Sequence, residues 1–110
     1  MAGQSRNVIA SPCYERHLTE ILAYGIDTFG YRQARKYFDT VSHLVERLDC
    51  DYTMYPECRH LATKSRMYRN IILDAHLIIY RITDVRIEVL DIIHSASSIR
   101  KIRGVRNIRL

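Results

Sequence analysis

The sequence predicts an α+β domain in which an antiparallel twisted sheet packs against an N-terminal helical hairpin, in the order β-α-α-β-β-β. Two observations lead to this prediction. Two segments with helical periodicity follow one another in the first half of the chain, and three segments rich in Ile, Val and Tyr follow in the second half, at residues 66–73, 76–82 and 85–94. Gaps of only two residues require the neighbouring strands to run antiparallel.

The first elements are expected close to the N-terminus. The apolar run from Val8 to Ala10 predicts a short strand that joins the sheet. Ser11 is a good N-cap and Pro12 suits the first helical position, so a helix is expected to begin here and to end at Gly30. Apolar residues at helical spacing predict its buried face: Tyr14, Leu18, Ile21, Leu22, Ile26 and Phe29.

A second helix is predicted to begin near Tyr31. Because almost no chain separates it from the first helix, the two are expected to form an antiparallel hairpin. The polar segment 49–57 contains Pro56 and is predicted to be a loop. The apolar face of the second helix is expected to be buried through Ala34, Phe38, Val41, Leu44, Val45 and Leu48.

The predicted strands differ in the number of faces that they bury. The segment 76–82 is apolar on both faces, which is typical of a central strand. In the segment 85–94, apolar and charged residues alternate up to Val89, and the phase then changes so that Asp91 lies between apolar neighbours. A β-bulge, or burial of both faces, would explain this change. The sheet face opposite the helices, and the rim, are expected to carry much of the arginine.

The length of 110 residues suits one domain, taken as residues 1–110 with a basic tail at 95–110. No apolar run is long enough to span a bilayer, and residues 1–7 lack an apolar signal region, so a cytoplasmic protein is expected. Cys13, Cys50 and Cys58 have no repeated spacing, which argues against a disulfide framework. Cys58 and His60 lack a second ligand pair, so neither a metal nor a cofactor is expected.

Charge is distributed unevenly along the chain. Residues 1–58 carry six Lys and Arg against eight Asp and Glu, a net −2, whereas residues 59–110 carry 11 against four, a net +7. This asymmetry indicates an anionic partner for the second half, either nucleic acid or an acidic protein segment. The basic residues expected to contribute to binding are Arg66, Arg81, Arg100, Lys101 and Arg103.

The tail is expected to form a short helix. The run from Ser95 to Ser98 would cap it, Ile99 and Ile102 would face inward, and Gly104 would end it.

Few residues suggest catalysis. The chain has no Gly-rich phosphate loop, no metal-ligand pattern and no Ser nucleophile in a strand–turn–helix context, which argues against nucleotide hydrolases, zinc hydrolases and esterases. Cations near the sheet remain. Arg59 and Arg69 would stabilise charge on a phosphate during RNA cleavage, and His94 would transfer a proton near neutral pH. The alternative for the sheet arginines is that they are solvated or ion-paired.

Three runs occur in a fixed order in the second half: residues 68–73, 76–82 and 87–94, with Tyr-Arg pairs at 68–69 and 80–81 and a histidine at the end. This pattern resembles the strands of the RelE/ParE toxin superfamily. The similarity covers residues 7–96. Shorter stretches resemble the helical hairpin of the superfamily and the lead into its strands: residues 26–30, 34–38 and 56–59.

The resemblance implies a toxin of a type II toxin–antitoxin pair, neutralised by a cognate antitoxin in a hetero-oligomer, with the fold predicted above. ParE-like members poison DNA gyrase, and RelE-like members cut mRNA on the ribosome. The Tyr-Arg pairs with His94, and the lack of a tyrosine after Tyr80, resemble the ParE-like branch more closely. The expectation is therefore a plasmid-stabilisation toxin that binds and inhibits DNA gyrase and has no catalytic site.

Two alternatives stay open at this point. One is a RelE-like, metal-independent endoribonuclease that acts on ribosome-bound mRNA through Arg59, Arg69 and His94. The other is a non-toxic basic binding module of the same fold.

Overall fold

The computed structural model describes residues 5–110 and has the predicted α+β architecture. Residues 1–4 lie outside the described residues, and they belong to the segment 1–7 that was expected to lack a signal region. No helix within the described range is long and apolar enough to cross a membrane. The elements, in chain order, are β1 (Asn7–Ala10), α1 (Pro12–Phe29), α2 (Tyr31–Glu46), α3 (Leu48–Asp51), β2 (Tyr68–Ile72), β3 (His76–Ile82), β4 (Arg86–His94) and α4 (Ile99–Gly104), with a 3₁₀ turn at Val105–Asn107.

The four strands form one sheet in the order β1-β4-β3-β2. The pairs β2–β3 and β3–β4 are antiparallel, as predicted, and β3 is an interior strand. Strand β1 pairs with the other side of β4 and runs parallel to it, so the sheet is not wholly antiparallel. Parallel pairing requires a long crossover connection, and helices α1 and α2 lie in the chain between β1 and the other strands.

The predicted change of phase in β4 is a bulge. Asp91 pairs with Ile79 and Val89 pairs with Tyr80, which leaves Leu90 as the extra residue. Seven of the nine residues of β4 are also buried, so both explanations offered for the sequence pattern hold.

The bulge is tied to the start of α1 through Ser11. The Ser11 Oγ accepts a hydrogen bond from the backbone N–H of Tyr14 at 2.9 Å, which is the predicted N-cap. The same hydroxyl donates to the carbonyl of Leu90 at 2.5 Å. Helix α1 therefore begins at a fixed place on β4.

The helical hairpin covers one face of the sheet, which we call the helix-facing core. Helix α1 contributes Tyr14 and Leu18, both buried. The hairpin is close-packed, since a Cβ placed on Gly25 would lie 3.1 Å from the Cβ of Ala34. The predicted stripe of α1 is buried only in part: Phe29 is 67% exposed and lies outside this core.

The opposite face of the sheet is also covered, but it still carries Arg81 and Arg86, which share that face with Ile79 and pair with Glu88. The tail folds back across it because Ile102 and Val105 are apolar residues on one side of the last turns. The residues of this second core are Cys58, Leu61, Ile79, Leu90, Ile93, Ile102 and Val105.

Three local expectations need correction. The predicted loop at 49–57 begins with the last residues of α3, because Leu48 is fully buried and anchors that turn. Arg66 has a φ of 56° and precedes the strand that was predicted to include it. In the tail, Ile102 is buried but Ile99 is 50% exposed. As predicted, α4 ends at Gly104, which has a helical φ of −66° and leads directly into the 3₁₀ turn.

Candidate protein-binding surfaces

Arg69, predicted as a catalytic residue, lies on β2 and holds neighbouring backbone in place. Its Nε donates to the carbonyl of Arg66 at 2.9 Å. Its Nη1 donates to the carbonyl of Tyr55 at 2.9 Å and lies 3.3 Å from that of Thr53. The guanidinium thus fastens the segment before β2 to the strand, and most of its donors are occupied.

Arg81, predicted as a binding residue, is an ion-paired residue of the sheet. Its guanidinium lies 2.7 Å from the Glu88 carboxylate on the neighbouring strand, and the two side chains are only 17% and 9% exposed. Arg86 binds the second carboxylate oxygen at 2.8 Å. Burial alone would raise the pKa of Glu88, but the hydrogen bonds from the two arginines lower it below its ordinary value.

Arg59 and Arg66 are both exposed. Arg66 Nε lies 3.8 Å from Glu57 Oε1, the loose geometry of a surface ion pair. Arg59 lies in a turn, and within residues 5–110 its side chain forms no ion pair. Both are accessible to a partner.

His94 lies at the end of β4 beside a second histidine. Its ring centroid is 5.9 Å from that of His76, the residue that pairs with it on β3. Its Nδ1 accepts a hydrogen bond from the N–H of Ala96 at 3.0 Å. The Tyr37 hydroxyl lies 2.7 Å from the Nδ1 of His76. Burial, with a smaller effect from the neighbouring His94, lowers the pKa of His76.

The structure does not bring His94 together with Arg69. Arg69 pairs with Tyr80 and His94 pairs with His76. These two rows are four residues apart along β3, which corresponds to about 13 Å. This separation of the two backbone positions is several times the size of a phosphate group.

A groove of about 780 Å³ lies between the helical hairpin and the ends of β3 and β4. Its lining is mostly apolar and includes the charged side chains of Glu20 and Lys101. Tyr24 and Phe29 also line it and are about two-thirds exposed, at 66% and 67%. Exposed apolar surface of this kind marks protein-interaction sites.

Three of the predicted binding cations lie together on α4. Ser98 caps this helix by accepting a hydrogen bond from the N–H of Lys101 at 3.1 Å. The buried Ile102 holds the helix against the second core. In the part of the chain that the structure describes, Arg100, Lys101 and Arg103 form no ion pair and are exposed. We call these three residues the α4 cation row.

The structure also brings together a cluster that the sequence analysis missed, formed by Cys13, His17 and Asp91. The His17 Nδ1 lies 2.6 Å from Asp91 Oδ1 and 3.8 Å from Cys13 Sγ. Cys13 and His17 are four residues apart on one helix, a spacing visible in the sequence. Asp91 is 74 residues further along, and only the fold could place it there.

Comparisons with known proteins agree with this architecture. Residues 8–99 match the family described as ParE toxin of type II toxin–antitoxin system, parDE. The chain belongs to the ParE toxin family. It is also similar in structure to a chain described as the chromosomal ParDE TA system from P. aeruginosa, with a TM-score of 0.68 and 14% sequence identity, over 84% of this chain and 98% of that one. A search of curated proteins found no match.

Membership of the ParE toxin family confirms the superfamily resemblance and the choice of its ParE branch. The structural neighbour confirms the fold. The roles assigned to Arg59, Arg69 and His94 in cleavage, and to Arg66, Arg81 and the α4 cation row in binding, stay predictions.

Proposed function

We propose that this ParE family member acts in the cytoplasm by binding and inhibiting DNA gyrase, without a catalytic step of its own. The supporting observation is the separation of the residues that would cleave RNA. Phosphodiester cleavage requires a proton-transfer group and charge-stabilising groups at one phosphate. Here His94 lies about 13 Å along the sheet from the row of Arg69.

The contacts that the sheet arginines make within the protein also support a binding function over RNA cleavage. Arg69 donates to three backbone carbonyls. Arg81 pairs with Glu88 and is only 17% exposed. Transition-state stabilisation needs donors aimed at the reacting group, and these two guanidinium groups are aimed at the protein itself.

Gyrase inhibition is tested with purified full-length protein and purified gyrase in a DNA supercoiling assay. The expected result is dose-dependent loss of supercoiling or accumulation of cleaved DNA complexes. Gyrase that stays fully active, while expression of the chain still arrests growth, would rule the proposal out. Primer extension on mRNA from the same cells would then show whether cleavage takes place and whether it depends on Arg59 and His94.

The α4 cation row gives a variant for the same assay. Arg100→Glu with Arg103→Glu reverses two exposed charges that form no ion pair within the described residues. The matched control is Arg32→Glu with Lys36→Glu on α2, which changes net charge equally at exposed positions. If the row contacts the target, only the α4 variant loses inhibition, and the loss shrinks as salt is raised.

A cognate antitoxin is the second partner in this proposal. The groove between the hairpin and the sheet would take an apolar segment, and Lys101 in its lining would pair with an acidic residue of that segment. An amphipathic acidic helix has this chemistry. The net charge of +7 on residues 59–110 also favours an acidic partner.

The groove is tested with an exposed apolar residue at its edge. Phe29→Asp should weaken capture of the protein encoded by the neighbouring gene at least tenfold, because it places an uncompensated charge in the apolar contact. Met54→Asp is the control, since Met54 is 71% exposed and does not line the groove. Equal affinity of the Phe29→Asp variant and the unsubstituted protein would place the antitoxin elsewhere.

A further inference from the structure

We propose that Cys13, His17 and Asp91 form a binding site for Zn²⁺ that connects the first turns of α1 to the bulge of β4. The three side chains offer a sulfur, an imidazole nitrogen and a carboxylate oxygen, all within 4.8 Å of one another. This mixed set of ligands is one that zinc accepts. A water molecule would complete the tetrahedron.

The local structure sets this geometry from both sides. Cys13 and His17 are separated by one helical turn, so their side chains lie on the same face of α1. That face meets β4 because the Ser11 hydroxyl is bonded to the carbonyl of Leu90. Asp91 follows the bulged residue directly.

The distances fit a tetrahedral ion after a small adjustment. Zinc bonds of about 2.0–2.3 Å at tetrahedral angles separate the ligand atoms by about 3.3–3.7 Å. The Cys13 Sγ and His17 Nδ1 are already 3.8 Å apart. The His17 Nδ1 and Asp91 Oδ1, now hydrogen-bonded at 2.6 Å, would separate by less than about 1 Å.

The exposure of the ligands also suits an ion that enters from solvent. The Asp91 side chain is 6% exposed, whereas that of His17 is 27% exposed and lines the groove. A dication would offset the two negative charges of a carboxylate and a thiolate in this partly buried place.

Two neighbouring cations, Arg16 and Lys101, influence the pKa of the Cys13 thiol. The Arg16 guanidinium lies 3.9 Å from the sulfur. Burial and the Asp91 carboxylate raise the pKa of the Cys13 thiol, and the charges of Arg16 and Lys101 partly oppose that rise. Zinc binding would release the thiol proton, as metal binding to cysteine does.

Cobalt(II) and zinc titrations of the purified full-length chain test the site. Co²⁺ should give a near-ultraviolet thiolate-to-metal absorption band with a stoichiometry of one, and Zn²⁺ should displace it. The Cys13→Ser variant should lose the band. Cys50→Ser is the matched control because Cys50 is an exposed cysteine outside the cluster, and it should keep the band.

A second variant and a second readout separate metal binding from misfolding. His17→Gln should also lose the band while retaining the far-ultraviolet circular dichroism of the folded chain. Zinc should raise the Tm of the unsubstituted protein and of Cys50→Ser, but not of Cys13→Ser or His17→Gln. No thiolate band in the unsubstituted protein, or a band that survives Cys13→Ser, would overturn the proposal.

Discussion

The phenolic hydroxyl of Tyr80 donates a hydrogen bond of 2.6 Å to the backbone carbonyl of Tyr52, and both residues are buried. This bond joins the centre of β3 to the segment that follows α3. Tyr80→Phe removes the donor without opening a cavity and is expected to lower the free energy of unfolding by about 1–2 kcal/mol. Urea denaturation measures this loss. Tyr24→Phe, at a position 66% exposed, is the control and should leave stability unchanged.

The Arg81–Glu88 pair gives a second prediction. Glu88→Gln keeps the shape of the side chain but leaves two guanidinium groups without their carboxylate. Stability should fall by about 2 kcal/mol, because one partner of a mostly buried ion pair is lost. Asp39→Asn, which breaks the exposed Arg35–Asp39 pair, is the control and should have no measurable effect.

The same pair predicts a pH dependence with a defined sign. The folded state holds the pKa of Glu88 below its ordinary value of 4.5. The stabilisation is therefore complete above that value and is lost as pH falls through the lower pKa of the folded state. Thermal unfolding at a series of acidic pH values should give a shallower decline for Glu88→Gln than for the unsubstituted protein, and parallel declines would contradict this assignment.

The strands and the helical hairpin could be predicted because each is encoded locally. The alternation in β4 and its interruption after Val89 marked the bulge before any contact was known. The helical spacing from Ala34 to Leu48 likewise marked a buried face. Patterns of this kind depend on neighbours a few residues away, which a sequence displays directly.

The remaining features depend on contacts between distant parts of the chain. The sequence predicted that Ile102 faces inward, but it did not show that the tail folds over the second face of the sheet. Arg81 was expected to contribute to binding, with an ion pair as the alternative, and only the fold identifies Glu88 as its partner. The cluster of Cys13 and His17 was missed because its third member, Asp91, comes from β4.

Gly30 gives a prediction about backbone conformation. It ends α1 and begins α2 with φ 90° and ψ 160°, a conformation that is essentially restricted to glycine. No atom lies within 4 Å of a Cβ placed there, so the cost of Gly30→Ala is conformational. The variant should be less stable by about 1–3 kcal/mol.

Gly104 is the matched control for Gly30. A Cβ placed there also has open space around it, but the residue has a helical φ of −66°. Gly104→Ala should therefore raise stability by about 0.5–1 kcal/mol. Opposite signs for the two alanine variants in the same urea titration are the expected result, and a loss at both positions would show that side-chain crowding decides the outcome instead.

The histidine pair at the end of the sheet, His76 and His94, predicts that the stability of the folded state changes with pH near neutrality. Burial and the neighbouring His94 lower the pKa of His76 below its ordinary value of 6.5. As pH falls below that value, the unfolded chain binds a proton that the folded chain still resists, so the folded state loses stability until its own lower pKa is passed. His76→Gln cannot take up this proton and keeps a partner for the Tyr37 hydroxyl. Denaturation midpoints measured between about pH 7.5 and 5 should therefore fall more steeply for the unsubstituted protein than for His76→Gln, whereas equal slopes would mean that another group controls stability in this range.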